Sequence, residues 1–189
     1  LPIYSDQLTD PEYIQFILLS TQLDLSMSRA LEASSYLQQE RFVFISPDFD
    51  LELQLRTIRL QAEIDLALGN AEQSLQGYIQ LAALSKGQRD TRVVHDHIWR
   101  QLNAQPFSYL QQGRDHRDSQ LAGWLQLAEL NRLYQVDHIA RQQALKNWRQ
   151  RWKTHPAAKL PPTALGQVGR SDKAPSQIAL LLPLQGQYE

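Results

Sequence analysis

Residues 60–84 read LQAEIDLALGNAEQSLQGYIQLAAL, and the architecture of the chain can be worked out from them. Leu60 and Ile64 recur at four-residue spacing, and so do Ile58, Ala62 and Leu66, which makes this a helix with two apolar stripes. Traced back to the cap-and-proline signal Ser46-Pro47-Asp48, one stripe becomes Leu51, Leu55, Ile58, Ala62 and Leu66, and the other Leu53, Leu60, Ile64 and Leu68. A helix striped twice is covered on two sides. Gly69-Asn70 then ends it: glycine tolerates the left-handed conformation of a helix C-cap, and asparagine can cap a following helix through Leu75, Tyr78, Ile79 and Ala82. The product is a helical hairpin.

Working outward, the same grammar repeats. Asp10-Pro11-Glu12 reads as N-cap, first-turn proline and dipole-favoured acid, opening a helix through Tyr13, Phe16, Ile17, Leu18 and Leu19. Ser26 or Ser28 is expected to cap a second helix bearing Ala30, Leu31, Ser34 and Leu37. Asp90 is expected to cap a helix carrying Val93, Val94, His97, Ile98 and Leu102, stopped near Gln105 by Pro106, with a short element at Phe107–Leu110 after it. Asp118 caps a helix with Leu121, Trp124, Leu125 and Ala128, and Asp137 the last one, with Ala140, Ala144, Trp148 and Trp152 four apart.

Helices that come in pairs predict an all-α fold. Ala62, Gly69, Ser74, Tyr78 and Leu81 occupy positions compatible with a degenerate tetratricopeptide-like repeat, and Trp124, Ala128, Ala140, Ala144 and Trp148 fit it more loosely. Such hairpins bury too little alone, so they stack into a short solenoid with a groove for extended or helical ligands. An irregular helical bundle, with the aromatics simply filling its core, is the alternative reading.

The 189 residues are 42% hydrophobic and carry 19 Lys and Arg against 20 Asp and Glu, for a formal charge of −1. That balance argues for a folded chain and against nucleic acid as a partner, since nothing in bulk attracts phosphate backbones. The longest apolar run, Ile178–Leu184, is strand-length rather than the roughly 20 residues a bilayer needs. With no cysteine, disulfides, thiolate zinc sites and cysteine nucleophiles are excluded. The start at Leu1, without Met, charged n-region or apolar signal core, reads as a fragment or a mature chain whose leader has been removed.

Candidate chemistry is thin. His95-Asp96-His97 and Asp115-His116-Arg117-Asp118 hold metal-ligand residue types, but helical residues two apart point in opposing directions, so His95 and His97 are not expected to share an ion. The chain has neither a Gly-x-Ser-x-Gly elbow nor a Ser-x-x-Lys motif, and Gly166-Gln167-Val168-Gly169 lacks the strand and helix of a dinucleotide loop. Lys146, Trp148, Arg149, Arg151, Trp152 and Lys153 interleave cations with aromatics and could meet an anionic polymer. At helical spacing, however, the tryptophans fall on a core face and Lys146, Arg149 and Lys153 on a solvated one. No catalytic, cofactor-binding or metal residue is assigned, and no partner-contacting residue is named.

From His155 the texture changes, with Pro156, Pro161, Pro162, Gly166, Gly169 and Pro175 punctuating a polar stretch where helices should end or fragment. Gln177-Ile178-Ala179-Leu180-Leu181-Leu182-Pro183-Leu184 follows, an apolar run suited to a buried parallel strand, and then Gln185-Gly186.

The Leu60–Asn70 alternation, His155-Pro156-Ala157-Ala158 closing a tryptophan-rich helix, and Gln177–Gly186 together resemble the amino-terminal part of the LpoA family of penicillin-binding protein activators. The resemblance implies a helical-repeat domain at residues 1–155, an interdomain linker at 156–176, and at 177–189 the first strand of a domain similar to periplasmic substrate-binding proteins. It also implies a lipidated protein on the periplasmic side of the outer membrane, attached through an upstream anchor this sequence lacks. The implied role is non-catalytic stimulation of penicillin-binding protein 1A, mainly through the following domain. This domain would then be a spacer or a platform, with peptidoglycan or other envelope proteins as further partners.

Two other readings are kept. A peptidoglycan-binding or lytic solenoid would use acids such as Glu63 and Asp65, and would need two carboxylates roughly 5 to 9 Å apart across a groove. A cytoplasmic peptide-clamping adaptor would line its concave face with residues such as Asn70, Arg100, Asn103, Asn131 and Arg132.

Overall fold

The computed structural model describes residues 7–85 and 87–166, and among these every regular element is helical. In chain order they are α1 (Asp10–Ser26), α2 (Ala30–Leu37), α3 (Glu40–Ile45), α4 (Leu51–Ala67), α5 (Ala71–Leu84), α6 (Gln88–Ala104), α7 (Phe107–Gln111), α8 (Ser119–Leu133), α9 (His138–Arg151), α10 (Pro156–Lys159) and α11 (Thr163–Gly166). Short 3₁₀ turns at Ser46–Asp48 and Gln112–Arg114 link α3 to α4 and α7 to α8. The apolar run at 177–184 lies outside the described residues.

The two stripes of α4 serve two cores. Leu60 and Ile64 enter a cluster with Tyr13, Ile17, Leu18, Ala33, Leu37, Phe42 and Phe49, against which Leu53 also packs. Ala62, with Leu55 and Ile58 beside it, enters a second, larger cluster that runs through α5, α6, α8 and α9 to Ala157 and Leu165. Alternate stripes thus join the α1–α3 unit to the rest of the array. Leu66 and Leu68, at the end of the stripes, remain 40% and 37% exposed.

Caps explain most boundaries, and four differ from the sequence reading. The helix α1 starts one residue earlier than the proline signal implies, because Glu12 accepts from both the backbone N–H (2.9 Å) and the hydroxyl (2.7 Å) of Thr9, making Thr9 the N-cap rather than Asp10. Neither Ser26 nor Ser28 caps α2. Ser26 donates to the Leu23 carbonyl, Ser28 sits at φ +60°, and Arg29 becomes the N-cap, held by an ion pair to Asp24. The cap of α4 is Asp50, whose carboxylate accepts from the Leu53 N–H at 2.9 Å, while Ser46-Pro47-Asp48 forms a 3₁₀ turn that turns Phe49 edge-on to Phe42. A fourth helix start also moves: α6 is capped at Gly87, with Asp90 in its first turn.

Other signals match. Gly69 takes φ +84°, with Asn70 N–H bonded to the Asp65 carbonyl and Gly69 N–H to the Leu66 carbonyl, the paired bonds of a Schellman ending. Asp118 and Asp137 cap α8 and α9 through Gln120, Leu121 and Ala140 N–H groups. The helix α6 ends at Ala104, with Gln105 extended before Pro106. The repeat reading makes Ser74 the small residue of the second helix. Ser74 in fact faces Gln101 of α6, and the close approach of α5 to α4 is made by Gly77, where a Cβ would stand 2.9 Å from the Ala62 Cβ.

Past His155, helical structure fragments but stays attached. Pro156–Gly166 folds as α10 and α11, and Ala157 and Leu165 are buried in the larger core.

Candidate interaction grooves

A cleft of about 440 Å³ opens where α2 and α3 lean over the α4–α5 hairpin. Ile58 and Ala62 of α4 and Gly77 of α5 line its base, while Leu37, Phe42 and Val43 form an apolar wall. The remaining lining is mostly amide: Gln73, Gln76 and Gln80 recur at i, i+3 and i+7 along α5, and Gln61 faces them from α4. An amide both donates and accepts, so this ladder can pair with the N–H and C=O groups of an extended chain. Asp65 is the one ionisable residue among the lining residues, and it accepts a 3.3 Å bond from Gln61. Phe44, next in α3, is 83% exposed beside the wall.

A second groove, of about 520 Å³, lies between α8 and α9. Arg114 reaches in from the 3₁₀ turn to pair with Glu129 at 2.6 Å, and Glu129 is otherwise buried within α8. Arg151 and Asn147 line the opposite wall, and Trp148 forms part of the floor while its indole N–H donates to the Gly123 carbonyl.

Beside the second groove, and sharing Trp148 with it, stands an aromatic hub. The His155 imidazole is met edge-on by Trp124, Trp148 and Trp152, with ring centroids 5.5, 5.3 and 5.8 Å away. Its Nδ1 accepts from Ala157 N–H at 3.2 Å, capping α10, which leaves Nε2–H to donate to the Gln120 carbonyl at 2.9 Å. Gly123 makes room for the ring, since a Cβ there would stand 2.5 Å from the imidazole. Burial pushes the pKa of His155 below the usual histidine range. The His155-Pro156-Ala157-Ala158 motif is therefore a structural latch.

The sequence candidates are dispersed. His95 is buried, pushed below the usual histidine range by that burial, and bonded through Nδ1 to the Leu160 carbonyl at 2.7 Å; His97 stacks on Tyr78 at 4.1 Å. His116 pairs with Glu72 and receives the Asp118 N–H. Among the described residues no group of three or more His, Cys, Asp or Glu side chains is placed to hold a metal. Glu63 and Asp65 separate: Asp65 lines the amide cleft, whereas Glu63 is half-buried near Arg59 and Tyr78 and its carboxyl is pushed up by burial. Of the proposed clamp residues, Arg132 holds the carbonyls of Asn103 and Gln105 at the end of α6, Arg100 contacts His97, and Asn70 sits at the N-cap position of α5 without a side-chain capping bond. No motif marks the amide cleft. Its only sequence signal is the spacing of Gln73, Gln76 and Gln80, legible once α5 is known to be a helix.

The fold and its clefts define an all-helical, hairpin-built domain. Similarity then places it further. A family model described as LppC putative lipoprotein matches residues 2–189. The penicillin-binding protein activator LpoA of Pantoea ananatis is 32% identical over 97% of this chain, and that of Dickeya chrysanthemi 30% identical, also over 97%. The chain spans just over a quarter of the length of each. Among solved structures, the LpoA N-terminal domain of Haemophilus influenzae in its monoclinic form superposes with a TM-score of 0.76 at 17% identity, covering 85% of this chain and 71% of that one. The chain belongs to the LppC family of lipoproteins, which includes the LpoA activators, and it has the fold of their amino-terminal domain.

Proposed function

We propose that this chain is the non-catalytic helical domain of an outer-membrane lipoprotein that faces the periplasm and activates penicillin-binding protein 1A, so regulating peptidoglycan synthesis. The carrying observation is the family match along the whole chain to relatives named as penicillin-binding protein activators. On this reading the helices are degenerate tetratricopeptide-like hairpins, and residues beyond the described helices lead through a linker into a periplasmic-binding-like domain that makes the main contact with the synthase. The helical domain spaces that contact across the periplasm and offers the α2–α5 cleft as a platform for an extended protein segment. The support for a platform is chemical: an amide ladder over an apolar floor, with no acid pair of the kind glycoside hydrolysis requires.

The test measures binding of this chain, of the following domain and of the intact protein to purified penicillin-binding protein 1A, and glycan polymerisation with each added. Stimulation by the intact protein, with Gln73→Ala/Gln76→Ala/Gln80→Ala weakening any binding by this chain, is the expected result. An intact protein that neither binds the synthase nor stimulates it overturns the reading.

A further inference from the structure

The near-zero net charge conceals a strong segregation along the helical array. Residues 7–85 hold eleven acids and four arginines, residues 87–137 hold six of each sign, and residues 138–166 hold six Lys or Arg and no acid. The cationic block is α9 and the short helices after it.

Within α9, Leu145 and Trp148 turn into the core. Lys146 and Arg149 lie on the solvent side about 60° apart around the axis, and Lys153 stands in the turn just beyond the helix, whereas Arg151 turns about 160° away from Arg149 into the wall of the α8–α9 groove; all four are exposed. None of the four pairs with an acid among the described residues. The helix dipole favours cations in the last turn, which accounts for Arg149 and Arg151. It does not account for Lys146, Lys159 or the complete lack of acids, and like charges three residues apart on a helix repel. A surface optimised for its own stability would intersperse the two signs. Three exposed amides, Gln143, Asn147 and Gln150, stand among these cations, with Gln143 donating to Asn147 at 2.9 Å.

We propose that the outward face of α9, through Lys146, Arg149 and Lys153, docks the peptidoglycan polymer, whose carboxylates sit among hydroxyl and amide groups. The proposal rests on the envelope placement given above. Cations meet the carboxylates and the neighbouring amides meet the uncharged polar groups. An anionic membrane fits the face less well, because Leu145 and Trp148 are buried and the one exposed large apolar side chain on α9, Ile139, is far short of the apolar face that an interfacial helix inserts. This docking would hold the helical domain against the wall while leaving the amide cleft on α4–α5 free.

The experiment is cosedimentation of the 189-residue chain with purified peptidoglycan sacculi, and with vesicles containing phosphatidylglycerol, over a range of salt. Wild type is expected to bind sacculi, with an affinity that falls as salt rises. The variant Lys146→Gln/Arg149→Gln/Lys153→Gln is expected to lose at least about tenfold in affinity and most of the salt dependence, and the charge-preserving Lys146→Arg/Arg149→Lys/Lys153→Arg to keep both. These side chains are exposed, so circular dichroism and melting should confirm that both variants fold. Equal binding by the glutamine variant, no binding by wild type, or binding to vesicles in place of sacculi overturns the proposal. Stimulation of the synthase by the intact protein is scored separately: its absence with sacculus binding intact defeats the activator reading and leaves this one standing.

Discussion

Ile64→Ala tests whether α4 truly divides its two faces between two cores. Ile64 is fully buried in the α1–α3 cluster, while Ala62, two residues away, is buried in the other. Truncating a buried isoleucine to alanine costs about 2–5 kcal/mol, the spread reflecting how far neighbours relax into the cavity. The smaller cluster has ten buried residues against twenty, so it has fewer neighbours to close the gap, and about 3 kcal/mol is a fair expectation. At roughly 2–4 °C per kcal/mol for a domain of this size, Tm should fall by about 6–12 °C. The pattern matters more than the size. By hydrogen exchange, Ile64→Ala should deprotect α1 and α2 first and leave α8 and α9 nearly as slow as in wild type, whereas Leu125→Ala, in the larger core, should do the reverse. If both variants loosen every helix equally, the array is one cooperative unit and the two-stripe argument is wrong.

Three further outcomes follow from the packing. His95 and His155 are both held neutral chiefly by burial, which outweighs the pull toward the proton of the Leu160 carbonyl and Asp96 on the first and of the Gln120 carbonyl and Asp118 on the second, while Arg92 acts with burial on the first and His95 on the second. Below the ordinary histidine pKa of about 6.5 the unfolded chain takes up protons the folded one refuses, so Tm should be flat from pH 8.5 to 7.5 and fall from pH 6.5 towards 5; equal melts at pH 7.5 and 5 would refute this. Gly77→Ala places a Cβ 2.9 Å from that of Ala62 and should cost about 1–3 kcal/mol by overpacking. Adding Ala62→Gly should cost less in denaturant melts than the two changes summed, and strict additivity would show the contact is not what limits the site. Arg114→Ala strands the buried Glu129 carboxylate and should lower Tm, while Arg114→Ala/Glu129→Leu should recover much of the loss; a double variant no better than the single would show the pair is not coupled.

What the sequence determined by itself was whatever depends on local periodicity and capping. The two stripes of α4, the glycine ending at Gly69, the stop before Pro106 and the aspartate caps at Asp118 and Asp137 were all legible, because each is set within one or two turns of chain. The caps of α1, α2, α4 and α6 were misplaced by one to four residues, because a neighbouring residue took the position instead: Thr9 through its box with Glu12, Arg29 after the turn at Ser28, Asp50 once Phe49 packs on Phe42, and Gly87 ahead of Asp90. Family membership was also readable, from motifs whose structural roles were not: His155 looked like the end of a helix and is the centre of a tryptophan cage. Only the tertiary structure decided which residues share a cleft. Gln61 and Gln80 are nineteen positions apart and become neighbours because Gly77 lets α5 lie against Ala62. Glu63 and Asp65 are nearly adjacent and part to different environments because a helix turns about 200° between them. Local rules fix which face of a helix is apolar; what that face meets depends on contacts between distant parts of the chain, which no single window of sequence contains.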